Sequence, residues 1–483
     1  MSRQTAFLDE GIAFDPVLVG GKAASLARMR SLGLRVPPAF VVTAEACRAY
    51  FQNGRLSTAL RTEIERAISR LEQETGRRFG GAERPLLVSV RSGAAVSMPG
   101  MMDTVLDLGM NPRVEAALEC ESGGGRFAAE TNTRFRELFR RIVLKRPEAS
   151  IPDDPIEQLL LAVMAVFESS RSRRARAYRK HHGLPHDFPT AVTVQAMVFG
   201  NLDGRSGTGV LFTRNPATGD ATPFGEFLTC AQGEDVVSGT RTPEPIERLA
   251  EALPDTYAEL LAAGRILEMA EKDVQDIEFT VERGTLWLLQ TRSAKRSADA
   301  AIRIAVDLAN EGRITRDDAI RRVTSEHVRK VQRPRLRDET RSRALLLTRG
   351  EAASPGVGAG VAVEDCDETE RRSAAGERIV LVRPTTSPQD LHGMIAAEAI
   401  VTEVGGATSH AAIVSRSLHK PCVVGCGEGT IAALLGRLVT VDGSHGEVFD
   451  GLLAVETFRT ETHPWLSQLD AWAGGRLLPL LDE

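Results

Sequence analysis

Residues 275 to 292, QDIEFTVERGTLWLLQTR, alternate polar and apolar side chains on both sides of Gly284. No other stretch constrains the fold as tightly, because a period of two fixes which residues share a face of a strand. Asp276 and Glu278 fall on one face, with Ile277, Phe279 and Val281 on the other. On the returning strand Gln290 and Arg292 share a face. A turn centred on Gly284 sets Glu278 opposite Gln290 and Asp276 opposite Arg292. Two carboxylates, an amide oxygen and a guanidinium then meet on one patch. Oxygen donors of that kind suit Mg2+, and an arginine fork suits phosphate. A surface hairpin laced by cross-strand ion pairs satisfies the same pattern.

The rest of the chain alternates strand-like and helical patterns, which predicts an α/β and α+β multidomain protein. GGKAASLARMRSLG reads as a glycine turn into a helix that ends at Gly33, and AFVVT as a strand. LLVSV is a compact buried-type strand that delivers Arg91, Ser92 and Gly93 to its carboxyl end. Residues 113 to 182 are helical and charge-rich, whereas 190 to 293 read as strands and turns. A further helical stretch ends in RKVQRPRLRDETRSR, the best candidate for a linker. A new unit follows from about residue 350, with strands RIVLV and AIVTEV, and closes near GEVFDG.

Composition narrows the function classes. In 483 residues, 60 lysines and arginines face 65 acids, so the net charge of -5 offers no global attraction to nucleic acid or an anionic membrane. The basic run RSRRARAYRKHH, residues 171 to 182, has Tyr178 as its one aromatic and reads as a solvated face or a domain contact. No apolar run approaches a membrane span, and the start MSRQTAFLDE has no signal core. Six scattered cysteines fit a reducing cytoplasm. Cys422 and Cys426 could be half of a metal site, but no second pair accompanies them, and buried thiols in a strand and turn are expected.

Three more segments carry chemistry. Lys22 follows Gly20 and Gly21, and Arg91 precedes Ser92 and Gly93, each cation in a glycine-containing turn where backbone amides can approach phosphate. GGATSHAAIVSR, residues 405 to 416, places His410 at the start of a helix. That end carries unpaired N–H groups and a partial positive charge, so a phosphoryl group on the ring would be stabilised there. Thr408 and Ser409 add hydroxyls, and Gly405 and Gly406 permit close backbone approach. Imidazole is a competent nucleophile near neutral pH. The plainer reading has Ser409 or Thr408 capping the helix while His410 packs beside it.

These residues lie in segments that together resemble the pyruvate, phosphate dikinase family. GGKAASLARMRSLGLRVPPAFVVT, LLVSVRSGAAVSMPGMMDTVLDLGMN, TGVLFTRNPATGD, AQGEDVVSGTRTP, QDIEFTVERGTLWLLQTR, LVRPTTSPQDLHGM and GGATSHAAIVSR run in the family's order from about residue 18 to 450. The resemblance implies an ATP-grasp domain over 1–335 with a helical insertion at 113–185, a linker at 336–349, a swivelling phosphohistidine domain over 350–455 and a helical tail at 456–483. It implies that Lys22, Arg91 and Arg292 hold ATP phosphates, that Asp276 lines the nucleotide site, and that Glu278 and Gln290 bind Mg2+. His410 is then the carrier: it attacks the β-phosphate of ATP, releases AMP, gives up pyrophosphate with orthophosphate, and passes the remaining phosphoryl group to pyruvate.

Two departures qualify the expectation. The family's acceptor barrel, of roughly 250 residues, does not fit in the stretch after Gly451, so the pyruvate or phosphoenolpyruvate site is expected on a separate chain. Before the Gly-Gly turn the family carries an arginine where this sequence has Thr402-Glu403-Val404, which removes a cation and places Glu403 to repel phosphate. A different small-molecule acceptor and a non-catalytic nucleotide-binding role are the alternatives. Thr408 also resembles a threonine phosphorylated by regulatory proteins in some relatives. The oligomeric state is left open.

Overall fold

A computed structural model describes residues 4–475 except 95–101, 182, 184, 186–188, 234, 236–241, 332–334 and 457–462. Parts of four stretches named above, the segment after Gly93, AQGEDVVSGTRTP, RKVQRPRLRDETRSR and the C-terminal tail, lie outside the described residues, as does His182. The architecture is mixed α/β and multidomain. It divides into one unit of residues 1–207 with 279–291 and a second of 208–278 with 292–483.

The first unit is built on a five-stranded sheet in the order Thr5–Phe7, Ala39–Val42, Ala191–Ala196, Val88–Gly93, Thr104–Leu108. Arg91, Ser92 and Gly93 are the last three residues of their strand. Helices Pro112–Ser122, Gly125–Leu138, Pro155–Ser169 and Arg173–His181 fill the region expected to be helical. Each start is legible in the chain where a cap exists: Asn111 accepts from Arg113 N and Val114 N, and Asp154 from Ile156 N. Phe135, Val163 and Phe167 from these helices join Val88, Val90 and Val105 of the sheet in one core. The basic run is split: Arg173, Arg176 and Lys180 are exposed, while three other arginines have internal partners. Arg179, 2% exposed, donates to Ser170 O, Arg174 pairs with Asp103, and Arg171 lies over the Phe51 ring.

The second unit holds an eight-stranded sheet in the order Leu346–Arg349, Glu447–Asp450, Leu438–Asp442, Val357–Val363, Ile379–Arg383, Ala399–Thr402, Cys422–Val424, Glu351–Ser354. Four of these strands, from Val357–Val363 to Cys422–Val424, run parallel, with Val380 beside Ala399 and Ile400 beside Cys422. Their near-continuous Val and Ile runs are what a sheet covered on both faces requires. The crossover from Ala399–Thr402 to Cys422–Val424 is the helix His410–Leu418, which places His410 just beyond the carboxyl end of a central strand. The stretch 336–349 carries a short helix, Asp338–Arg343, and the edge strand Leu346–Arg349.

Two helices depart from expectation, the short Glu247–Ala252 and a longer one after it. Within 190 to 293, read as strands and turns, stands the 18-residue helix Pro254–Glu271. Leu260, Ala263 and Leu267 form its buried stripe. Gly264 sits in the middle, where an added Cβ would meet Leu211 Cδ2 at 3.3 Å. The glycine that weakens the helical signal in the sequence is what lets the helix lie close to the strand Gly207–Phe212.

Candidate active site

In the first unit the glycine turn and the Arg91 strand are locked together. Gly20 interrupts the helix Pro16–Ser31 at φ 81°, and a Cβ there would overlap the Gly93 carbonyl. Gly21 N donates to Ala94 O at 2.9 Å, so the turn before Lys22 is stitched to the strand end after Arg91. One turn further on, Ser25 Oγ donates to Thr291 O at 2.7 Å and accepts from Thr291 N at 3.1 Å. That fixes the same helix against the strand segment holding Gln290. Three residues separated by up to 268 positions in sequence thus share one framework around a single helix.

In the second unit Arg292 Nε donates to Asp276 Oδ2 at 2.7 Å, the cross-strand pair expected from the alternation. Burial pushes the Asp276 carboxyl up, with the Arg292 guanidinium working against it. Burial pulls Arg292 down, but the charges of Asp276 and Glu278 outweigh it and the guanidinium stays protonated. Arg292 keeps 22% of its side chain exposed while Asp276 keeps 5%, so the carboxylate anchors and the fork is left reachable. Glu278 stands two residues along the same strand, partly buried.

His410 is the first residue of its helix, and Ser409, not Thr408, is the cap, accepting from Ala412 N. Nδ1 lies 3.1 Å from Thr386 Oγ1. Nε2 is buried and has no hydrogen-bond partner among the described residues. Burial drives the imidazole pKa down to about 4, opposed by the charge of Asp390. The ring is therefore neutral at physiological pH. With the proton on Nδ1, donated to Thr386, the Nε2 lone pair is the free nucleophile. Asp390 is held in turn by Ser387 N and Oγ and by Arg383 at 3.2 Å.

The loop before His410 is held by groups that sequence reasoning missed. Glu226 Oε2 accepts from Thr408 N at 3.2 Å and also from the Thr408 hydroxyl. Gly406 is required beside it, since a Cβ there would overlap the Glu226 carboxylate. Gly405 takes φ +116°, a backbone conformation that glycine supplies without strain. Glu351 Oε2 accepts from Ala407 N at 3.0 Å, and Arg416, 3% exposed, donates from Nη2 to Ala407 O at 2.8 Å. Thr408 itself is fully buried. A signal did exist for Glu226: an acid inside the otherwise apolar strand FGEFLT is an inward-facing charge in need of a partner.

The structure places Glu403, Cys422 and Cys426 as well, the two thiols as expected. The Glu403 carboxylate is engaged at Ile431 N, 2.9 Å away, where it serves the start of the helix Thr430–Leu434, and the acid that His410 senses is Asp390. Cys422 is buried in its strand and Cys426 partly buried in the turn beyond, both free. Burial pushes both thiols up to about 12, which makes them poor metal ligands.

The fold is that of a mixed α/β multidomain protein, with a histidine at a helix start beyond a parallel strand in one unit and, in the other, one helix tied to the strands that carry Arg91 and Gln290. Family models agree: residues 17–254 match the pyruvate phosphate dikinase AMP/ATP-binding domain, in two overlapping segments, and 375–446 match the mobile domain of PEP-utilising enzymes. The chain is 42% identical to pyruvate, phosphate dikinase of Rhizobium meliloti (strain 1021) over 92% of its own length and 57% of the relative's. It is 38% identical to the Clostridium symbiosum enzyme of that name, over 98% of this chain and 60% of the relative. Pyruvate, phosphate dikinase 2 of Zea mays is 42% identical over 90% and 55%. The chain belongs to the pyruvate, phosphate dikinase family. It spans between 55% and 60% of the length of these three relatives.

Proposed function

We propose that this chain is an ATP-dependent phosphotransferase of the dikinase type that phosphorylates its own His410. The observation that carries the reading is the free Nε2 of a neutral His410 at a helix start, in a domain that matches the PEP-utilising mobile domain. On this reading residues 1–335 form an ATP-grasp domain with the insertion 113–185, and 350–455 the mobile carrier domain, with 336–349 between them and a tail at 456–483.

Lys22, Arg91 and Arg292 neutralise the ATP phosphates, and Asp276 aims the Arg292 fork. Phosphoryl transfer needs positioning and charge neutralisation above all, which is what fixed guanidinium and ammonium groups on stitched backbone supply. Glu278 and Gln290 offer a carboxylate and an amide oxygen, the donor chemistry that suits Mg2+, and the ion would shield phosphate charge when bound. Nε2 of His410 attacks the β-phosphorus, the bond to the α-phosphate bridge oxygen breaks, and AMP leaves. Orthophosphate then takes the terminal phosphoryl group away as pyrophosphate, leaving phosphohistidine for transfer to pyruvate, the acceptor that the relatives' name indicates. The helix N-terminus and the hydroxyls of Thr386 and Ser409 are the nearby groups that stabilise the charge on the ring.

Incubation with Mg-ATP, with and without orthophosphate, tests the reading. AMP release together with acid-labile phosphate on His410 is the expected result. ATP binding with neither AMP nor modification would replace it with a non-catalytic nucleotide-binding role.

A further inference from the structure

The second unit carries a solvent-open cavity of about 300 Å³ that the chemistry at His410 does not use. Its lining includes Lys295, Arg296, Arg322 and Arg416 against one carboxylate, Asp273, with His327 and His419 at its wall. Arg296 takes Asp273 in a two-point pair at 2.7 and 2.9 Å, and Arg322 stands 3.7 Å from the same carboxylate. That one acid is spent. Lys295 Nζ donates to the Ser417 hydroxyl, 2.9 Å away, and among the described residues has no carboxylate within ion-pair reach. Burial and the charges of Arg292 and Arg416 pull its pKa down, more than the charge of Asp276 raises it.

Arg416 is the second, independent observation. It is 3% exposed, its Nη atoms donate to Ala353 O and Ala407 O at 2.8 Å each, and its Nε–H is buried with no partner. A buried guanidinium with an unsatisfied donor and no carboxylate costs stability that a bound anion would recover. We infer that this cavity is a binding site for a compact multivalent phosphate anion of the pyrophosphate class. The volume stands at the small end of ligand cavities and equals the space of about ten waters, enough for two phosphate groups and a little solvent. Four fixed cations against one acid match an anion carrying several charges. Such an anion would join Lys295, Arg296 and Arg322 to Arg416 and Ser417 on the His410 helix. Where His410 is a carrier, as proposed above, occupancy holds that helix in place and slows its release.

The test is binding, not turnover, so it stands or falls apart from the phosphotransferase reading. Pyrophosphate is titrated by calorimetry into the full chain in EDTA, for wild type, Arg322→Gln, Lys295→Gln and Arg91→Ala, with folding of each checked by circular dichroism and nucleotide binding. The expected result is saturable binding that weakens at least tenfold in Arg322→Gln and in Lys295→Gln and survives Arg91→Ala. Binding lost in Arg91→Ala but kept in the other two would place the anion among the nucleotide-phosphate groups and overturn the assignment. Absence of saturable binding to wild type would overturn it as well.

Discussion

The Glu226 carboxylate accepts hydrogen bonds from both the backbone N–H and the hydroxyl of Thr408, two residues before His410. It does so as a buried acid whose pKa is raised to about 7, first by burial and then by the neighbouring charge of Glu351, with the Thr408 bonds pulling the other way. The folded state therefore holds a proton that the unfolded chain releases at an ordinary carboxyl pKa. The stability linked to this proton is full below about pH 4.5 and declines as pH rises to about 7, by on the order of 3 kcal/mol across the window, because ionisation then leaves a buried charge. Hydrogen exchange over residues 404–410, corrected for intrinsic rates, should show protection falling from pH 5 to pH 8. Glu226→Gln should flatten that dependence. An unchanged slope in the variant would assign the effect to another group.

His410 carries the opposite sign. Its folded pKa of about 4 lies below that of a free imidazole, so the unfolded chain takes up the proton first and stability falls as pH drops from about 6.5 towards 4. Above that window the ring is neutral and reactive. Phosphoenzyme formation should thus show no inflection attributable to His410 between pH 6 and 8 in rapid-quench experiments. An inflection near 6.5 that vanishes in Thr386→Val would show a ring less shielded than its surroundings imply.

Replacing Arg292 by Ala leaves the buried Asp276 carboxylate without the guanidinium 2.7 Å away. AMP formation should fall about a hundredfold or more, the scale for losing one preorganised charge partner of a transition state. Arg292→Lys should recover only part of it, since a single ammonium cannot present the same fork. Single-turnover AMP release measures both. Near-normal rates in the alanine variant would remove Arg292 from the phosphate-holding set.

Gly20→Ala drives a Cβ into the Gly93 carbonyl at a backbone angle of +81°. Relief requires the Lys22 turn to part from the strand of Arg91. We expect a loss on the order of 2 kcal/mol or more in denaturant unfolding and weakened nucleotide binding. A Gly33→Ala control, whose added Cβ meets no atom within 4 Å, carries only the backbone strain and should be milder.

The Asp276 and Arg292 pairing, the helix start at His410 and the glycine turn before Lys22 were legible because each is local. A strand repeats every two residues, a hairpin turn fixes register, and caps and glycines mark helix ends. The helix Pro254–Glu271 was hidden because a glycine that serves packing imitates a break. For Glu403 the charge was visible in the sequence, but its engagement by Ile431 N was not. The sequence by itself thus determined the mixed α/β class and the family, and it singled out the side chains proposed to carry phosphate chemistry. Only the tertiary structure decided what surrounds them. Glu226 lies 182 positions before Thr408 and Thr386 lies 24 before His410. No periodicity reports such partners, because burial, which sets both the carboxyl of Glu226 and the imidazole of His410, comes from elements that meet only when the chain is folded.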